Sequence, residues 1–156
     1  MSADSEAFES RIPLPDPAAT ESLGAQIAAG LHVGDAVALE GDLGAGKTTL
    51  ARAILHALGV REDVPSPTFT LVQYYETAKM PVRHYDLYRI ESAAEMEELG
   101  LDEALDEGAA LIEWPERALA WLPPDRLHVS MSIKDGGRSA LLRGSPRWKD
   151  VITNAG

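Results

Sequence analysis

Residues 41–48 read Gly-Asp-Leu-Gly-Ala-Gly-Lys-Thr and satisfy the spacing G-x-x-x-x-G-K-[ST]. The apolar run Ala36, Val37, Ala38 and Leu39 comes just before it, and Leu50, Ala51, Ala53, Ile54 and Leu55 follow. That order predicts a strand, a phosphate-binding loop and a helix. The glycines let the backbone turn where a Cβ would clash, so that successive N–H groups and the positive end of the helix converge on a phosphate. Lys47 then offsets the charge of the β- and γ-phosphates, and the Thr48 hydroxyl is placed as a ligand for Mg²⁺. The expected contacts to ATP from this segment are Leu43, Gly44, Ala45, Gly46, Lys47, Thr48 and Thr49.

The rest of the chain reads as one α/β domain over residues 12–144, between an N-terminal tail (1–11) and a poorly patterned C-terminal tail (145–156). No internal repeat or linker divides it, and 156 residues with 45% hydrophobic content suffice for one core. Pro13, Pro15 and Pro17 interrupt regular structure before a helix that Thr20 is expected to cap, with Leu23, Ile27, Ala28 and Leu31 on its apolar side and Gly30 or Gly34 at its end. The helix after the phosphate loop should run from about Lys47 to Leu58, stopped by Gly59. Strands are expected at residues 71–75 and 82–88, short helices in the Glu-rich stretch, a buried strand at 109–112, and a hairpin from residues 127–133 and 139–143. The expected architecture is a three-layer nucleoside triphosphate hydrolase fold, with a mainly parallel central sheet and a C-terminal antiparallel hairpin.

Hydrolysis also needs acids that hold the metal or its waters. Asp86 and Glu113 each follow a strand-like segment, so a parallel sheet can bring both beside the loop. Glu113 is the expected second metal residue beside Thr48, either contacting the ion or acting through a coordinated water. Val64-Pro65-Ser66-Pro67-Thr68 is a proline-framed loop in which Thr68 is expected to respond to the γ-phosphate. His84 shares a face with Asp86 if the segment is a strand, but without a second histidine nearby it reads as a structural residue. Trp114 reads equally as core, lid or partner contact. Arg138, in an Asp-Gly-Gly-Arg turn, can reach a phosphate or base or simply be solvated, and Thr20 can lie near bound nucleotide as well as cap its helix.

The formal charge of −11 opposes extended contact with nucleic-acid phosphates, so strong direct binding of nucleic acid is not expected. Eight carboxylates and no lysine or arginine fall within residues 91–107, a surface that is either merely soluble or steers a basic protein partner. The chain has no apolar run of about 18 residues and no signal-like segment near Met1. Cytoplasm is therefore the expected location. The absence of cysteine excludes disulfides, thiolate metal sites and cysteine nucleophiles.

Four segments in a fixed order resemble the TsaE (YjeE) family of small P-loop ATPases: LEGDLGAGKTTLARAIL from Leu39, VPSPTFTLVQYY from Val64, HYDLYRI from His84 and LIEWPE from Leu111. LPDPAATESLG from Leu14 is similar to the family's opening, and the resemblance spans about residues 12–143. It implies ATP binding with slow hydrolysis, Mg²⁺ at Thr48 and Glu113, a nucleotide-site role for Asp86, and functional roles for Thr68 and Trp114. It also implies work alongside TsaB and TsaD, the latter being the enzyme that transfers threonylcarbamoyl to adenosine 37 of ANN-decoding tRNAs. Two other classes stay open on the residues alone. One is a small-molecule kinase, which would need an acceptor pocket and commonly an arginine-rich lid. The other is an assembly protein that uses ATP only as a structural ligand.

Overall fold

The computed structural model describes residues 7–42, 46–65, 67, 71–134 and 137–152. In chain order these form β1 (Phe8–Leu14), α1 (Pro17–Gly30), β2 (Ala36–Glu40), α2 (Lys47–Ala57), β3 (Val72–Glu76) and β4 (Pro81–Asp86). There follow α3 (Ala93–Glu98), α4 (Leu101–Glu107), β5 (Ala109–Glu113), β6 (Leu127–Lys134) and β7 (Gly137–Gly144). Short 3-10 turns occupy Pro115–Arg117, Leu119–Trp121 and Pro146–Asp150.

All the strands join one seven-stranded sheet in the order β1-β7-β6-β2-β5-β4-β3. The centre is parallel, β6 to β2, β2 to β5 and β5 to β4. The two edges are antiparallel. The C-terminal hairpin was expected. The antiparallel β3 follows from its connection, because the four residues between β3 and β4 cannot make the crossover a parallel neighbour needs. The Thr77 hydroxyl closes that turn, donating to the Met80 carbonyl at 2.6 Å and accepting from the Met80 N–H at 3.0 Å.

Alternation along β2 and β5 sorts the core into two halves. Val37, Leu39 and Leu111 pack with Leu23 and Ile27 of α1 and with Leu50, Ile54 and Leu55 of α2. Ala36, Ala38, Ala110 and Ile112 face Met96, Leu101 and Ala104 of α3 and α4. The result is the three-layer α/β arrangement expected from the sequence. α1 and α2 approach closely at Gly24, where a Cβ would lie 2.6 Å from Ala53 Cβ and 2.9 Å from the Ala53 carbonyl carbon. That glycine lets the helix following the phosphate loop settle against the sheet. Among the described residues, no helix is long and apolar enough to cross a membrane.

Three local expectations change. Regular structure starts at Phe8, inside the expected tail, and Phe8 is buried. Pro13 fits because β1 is an edge strand paired only with β7, where a missing N–H is tolerated. The cap of α1 is Asp16, whose side chain accepts from the Ala19 N–H at 2.9 Å, with Pro17 at the first helical position. Thr20 lies one turn further in and is buried. At the other end, Trp148 is 1% exposed and packs in the α1–α2 half of the core, so the segment after Gly144 is structural.

Candidate functional site

Because β2, β5 and β4 run parallel and side by side, their carboxyl ends meet at one edge of the sheet, where ligands of α/β proteins bind. Asp86 pairs directly with Glu113, and Leu39 with Glu113 on the other side. Both acids are buried, at 4% and 2% exposure. The sequence expectation that they converge is met by this register. Asp86 Oδ1 accepts the Tyr88 N–H at 2.9 Å, which fixes the carboxylate at the turn leaving β4.

The phosphate-loop helix starts at the same edge. Gly46 is the residue before α2, with φ of 109°, a left-handed conformation that glycine adopts without strain. The N-cap position is a glycine and supplies no side-chain acceptor, so it leaves the first-turn N–H groups for another acceptor. Thr48 points its hydroxyl at Glu113, with 3.0 Å to Oε1 and 2.9 Å to Oε2. Residues 65 apart in sequence thus form one oxygen cluster spanning the helix start and the end of β5. The Leu43, Gly44 and Ala45 expected to cradle phosphate, and the expected switch residue Thr68, lie outside the described residues.

Lys47 is 5% exposed. Its ammonium donates to the carbonyls of Gly41 and Asp42, the latter at 3.2 Å, and sits 4.0 Å from the centre of the Trp114 ring. Burial holds its pKa below the ordinary lysine value, against the opposing pull of Glu113, Glu116, Asp86 and Asp42. Trp114 takes a left-handed backbone conformation, φ 59°, directly after β5. Such a conformation is costly for a bulky residue and common where a side chain must be aimed at a site. Its ring lies between the lysine and Tyr88, whose ring centroid is 4.7 Å away. Of the roles the sequence left open, Trp114 has contacts of two, packing partly buried against the α3–α4 half of the core and lying over Lys47.

Three more expected nucleotide residues come together a short distance away. Thr20, Thr49 and Arg138 line a cavity of about 260 Å³ with Leu14, Pro15, Asp16, Pro17, Ile133 and Gly137. Thr49 belongs to the first turn of α2, so this cavity adjoins the phosphate loop. A larger cavity of about 600 Å³ is lined by residues at the start of β6 and the end of β7, including Arg126, His128 and Arg143. It opens at the opposite end of the sheet, and location at the strand carboxyl ends outweighs size.

Similarity to known proteins agrees with this layout. The family model described as "Threonylcarbamoyl adenosine biosynthesis protein TsaE" matches residues 14–140. The chain belongs to the TsaE family. A Rickettsia felis TsaE protein is 43% identical over 137 residues, covering 87% of this chain and 75% of that relative. A Bacillus subtilis TsaE protein is 41% identical over 115 residues, with 73% and 72% covered, and one from Haemophilus influenzae is 39% identical over 133 residues, with 83% and 84% covered. All three carry the name tRNA threonylcarbamoyladenosine biosynthesis protein TsaE. Among solved structures, that of Bacillus subtilis YdiB superimposes with a TM-score of 0.77 at 29% identity, covering 93% of this chain and 92% of that one.

Sequence reasoning left one member of this side-chain cluster aside. His84 is fully buried and its Nε2 lies 2.7 Å from Glu113 Oε2. The available signal was the two-residue step to Asp86. Its partner became visible only through the pairing of β4 with β5.

Proposed function

We propose that the protein binds ATP with Mg²⁺ at the start of α2 and hydrolyses it slowly, in support of TsaB and TsaD homologues that carry out threonylcarbamoylation of tRNA. The carrying observation is the Thr48–Glu113 contact beside a buried lysine, at the meeting point of a helix start and two strand ends. The donor set fits magnesium, since both groups offer hard oxygen and the acids supply negative charge. Thr48 and Glu113 are the residues that would hold the ion, which when bound supplies charge neutralisation at the phosphates.

The chain's own groups divide the remaining work. Lys47 exchanges backbone carbonyls for phosphate oxygens, a stronger charge-assisted contact for a largely buried side chain. The uncapped N–H groups of α2 add to the anion's binding. Asp86, held by the Tyr88 N–H, is placed to orient the attacking water and accept its proton. Trp114 keeps solvent from the lysine. Thr20, Thr49 and Arg138 receive the nucleoside end in the adjoining cavity.

Phosphate release from ATP by the purified chain, measured with and without TsaB and TsaD homologues, tests this reading. Slow Mg²⁺-dependent release alone and an altered rate in the complex are expected. No release in either condition would remove hydrolysis from the account, and an unchanged rate would remove partner activation.

A further inference from the structure

His84 has no part in the phosphate-binding scheme above, yet it is placed at the scheme's centre. It is fully buried in β4 on the side of the sheet that carries α2, opposite Leu111 and two residues before Asp86. Its Nε2 bonds Glu113 Oε2 at 2.7 Å, while Nδ1 is buried with no hydrogen-bond partner among the described residues. Val82, Leu111 and Leu39 around this part of the sheet are apolar and buried. An imidazole with one unpaired nitrogen is a poorer filler of such a core than leucine. What it adds is an N–H aimed at an acid.

The acid needs that donor. In the structure Thr48 binds both oxygens of Glu113. A hydroxyl that ligates a cation does so through a lone pair, so Thr48 has only its single proton to share between the two carboxylate oxygens whether or not an ion is bound. The His84 bond is independent of Thr48, so it can fix the plane of the carboxylate in either state.

Resting on the magnesium–nucleotide reading, we propose that His84 is a positioning residue: its Nε2–H holds Glu113 so that the carboxylate faces Thr48 and the divalent cation the two would share. Outer donors to metal-binding carboxylates typically matter by about 10–100-fold in metal affinity or activity.

The test compares ADP affinity in Mg²⁺ with ADP affinity in EDTA, by calorimetry, for the parent, His84→Gln and His84→Asn. The glutamine amide reaches the place of Nε2, whereas the asparagine amide stops near that of Nδ1. His84→Gln is expected to keep the gain that Mg²⁺ gives the parent. His84→Asn should lose about 10–100-fold of Mg²⁺ affinity while its affinity in EDTA stays parental. A parental Mg²⁺ gain in His84→Asn overturns the proposal, as does a glutamine variant that behaves like asparagine or an equal loss in Mg²⁺ and EDTA.

Should His84→Asn not fold, ¹⁵N-histidine NMR of the parent decides. A downfield proton on His84 Nε2 must be present and must persist in the Mg–ADP complex, and its absence in either state overturns the assignment. A parent that binds no nucleotide at all sinks the underlying reading as well, which separates the two failures.

Discussion

Replacing Lys47 with alanine is expected to weaken ATP and ADP binding by roughly 30-fold or more. That follows from the loss of about 2–5 kcal/mol when one partner of a buried charged contact is truncated. The size of the effect comes from the surroundings of the ammonium. It is 5% exposed, lies against Trp114, and is held by the carbonyls of Gly41 and Asp42. Burial of the side chain limits the screening of its charge by solvent. Four carboxylates pull on the same ammonium, yet burial still lowers its pKa. Calorimetry of ADP against the variant should show the loss both with and without Mg²⁺, because the lysine acts on phosphate directly. Parental affinity in Lys47→Ala would mean that the nucleotide does not touch this side chain.

Glu113→Gln should behave differently. The amide keeps the shape of the carboxylate and an acceptor for the Thr48 hydroxyl, but removes the charge that would face a cation. Nucleotide affinity in EDTA should stay close to parental. ATP turnover should fall on the order of 10²–10³-fold, the scale seen when one preorganised electrostatic group is lost. The contrast with Lys47→Ala separates binding from chemistry: one substitution lowers affinity, the other kcat. Single-turnover phosphate release at saturating ATP is the measurement. If Glu113→Gln turned over at the parental rate, the acid would be a structural partner of Thr48 and His84 only. If a Glu113→Gln protein that had lost turnover still supported repeated tRNA modification with TsaB and TsaD homologues, the assembly reading would replace hydrolysis.

Much of this site was legible before any coordinates, for definite reasons. The loop spacing fixed the start of α2 at Lys47, because glycine, lysine and threonine in that order serve one geometry. Glu113 and Asp86 were legible because each ends an apolar run, and parallel strands deliver their last residues to a common edge. Their pairing across β4 and β5 confirms the inference from strand ends alone. Thr20, Thr49 and Arg138 were separate guesses, and the cavity between α1, α2 and the β6–β7 hairpin brings them together.

What was hidden depends on tertiary contacts. β1 was obscured by Pro13, Pro15 and Pro17, which read as breakers until the strand is seen at an edge where one unpaired side is free. Trp148 stands in a stretch with no hydrophobic period, so nothing local shows that it enters the core beside α1. The antiparallel β3 turned on the brevity of one connection, a stronger constraint than the composition of the strands. His84 was obscured most completely, since its partner lies on another strand and a lone buried histidine has many uses.

The central claim is that a magnesium-bound nucleotide occupies the head of α2 between Lys47 and Glu113. A crystal structure with ADP and Mg²⁺ tests it most directly. The account predicts that the Lys47 ammonium leaves the Gly41 and Asp42 carbonyls for the β-phosphate, and that the Thr48 hydroxyl and the Glu113 carboxylate both face the cation. Nucleotide seated elsewhere on the sheet, or Mg²⁺ bound away from Thr48 and Glu113, would contradict it.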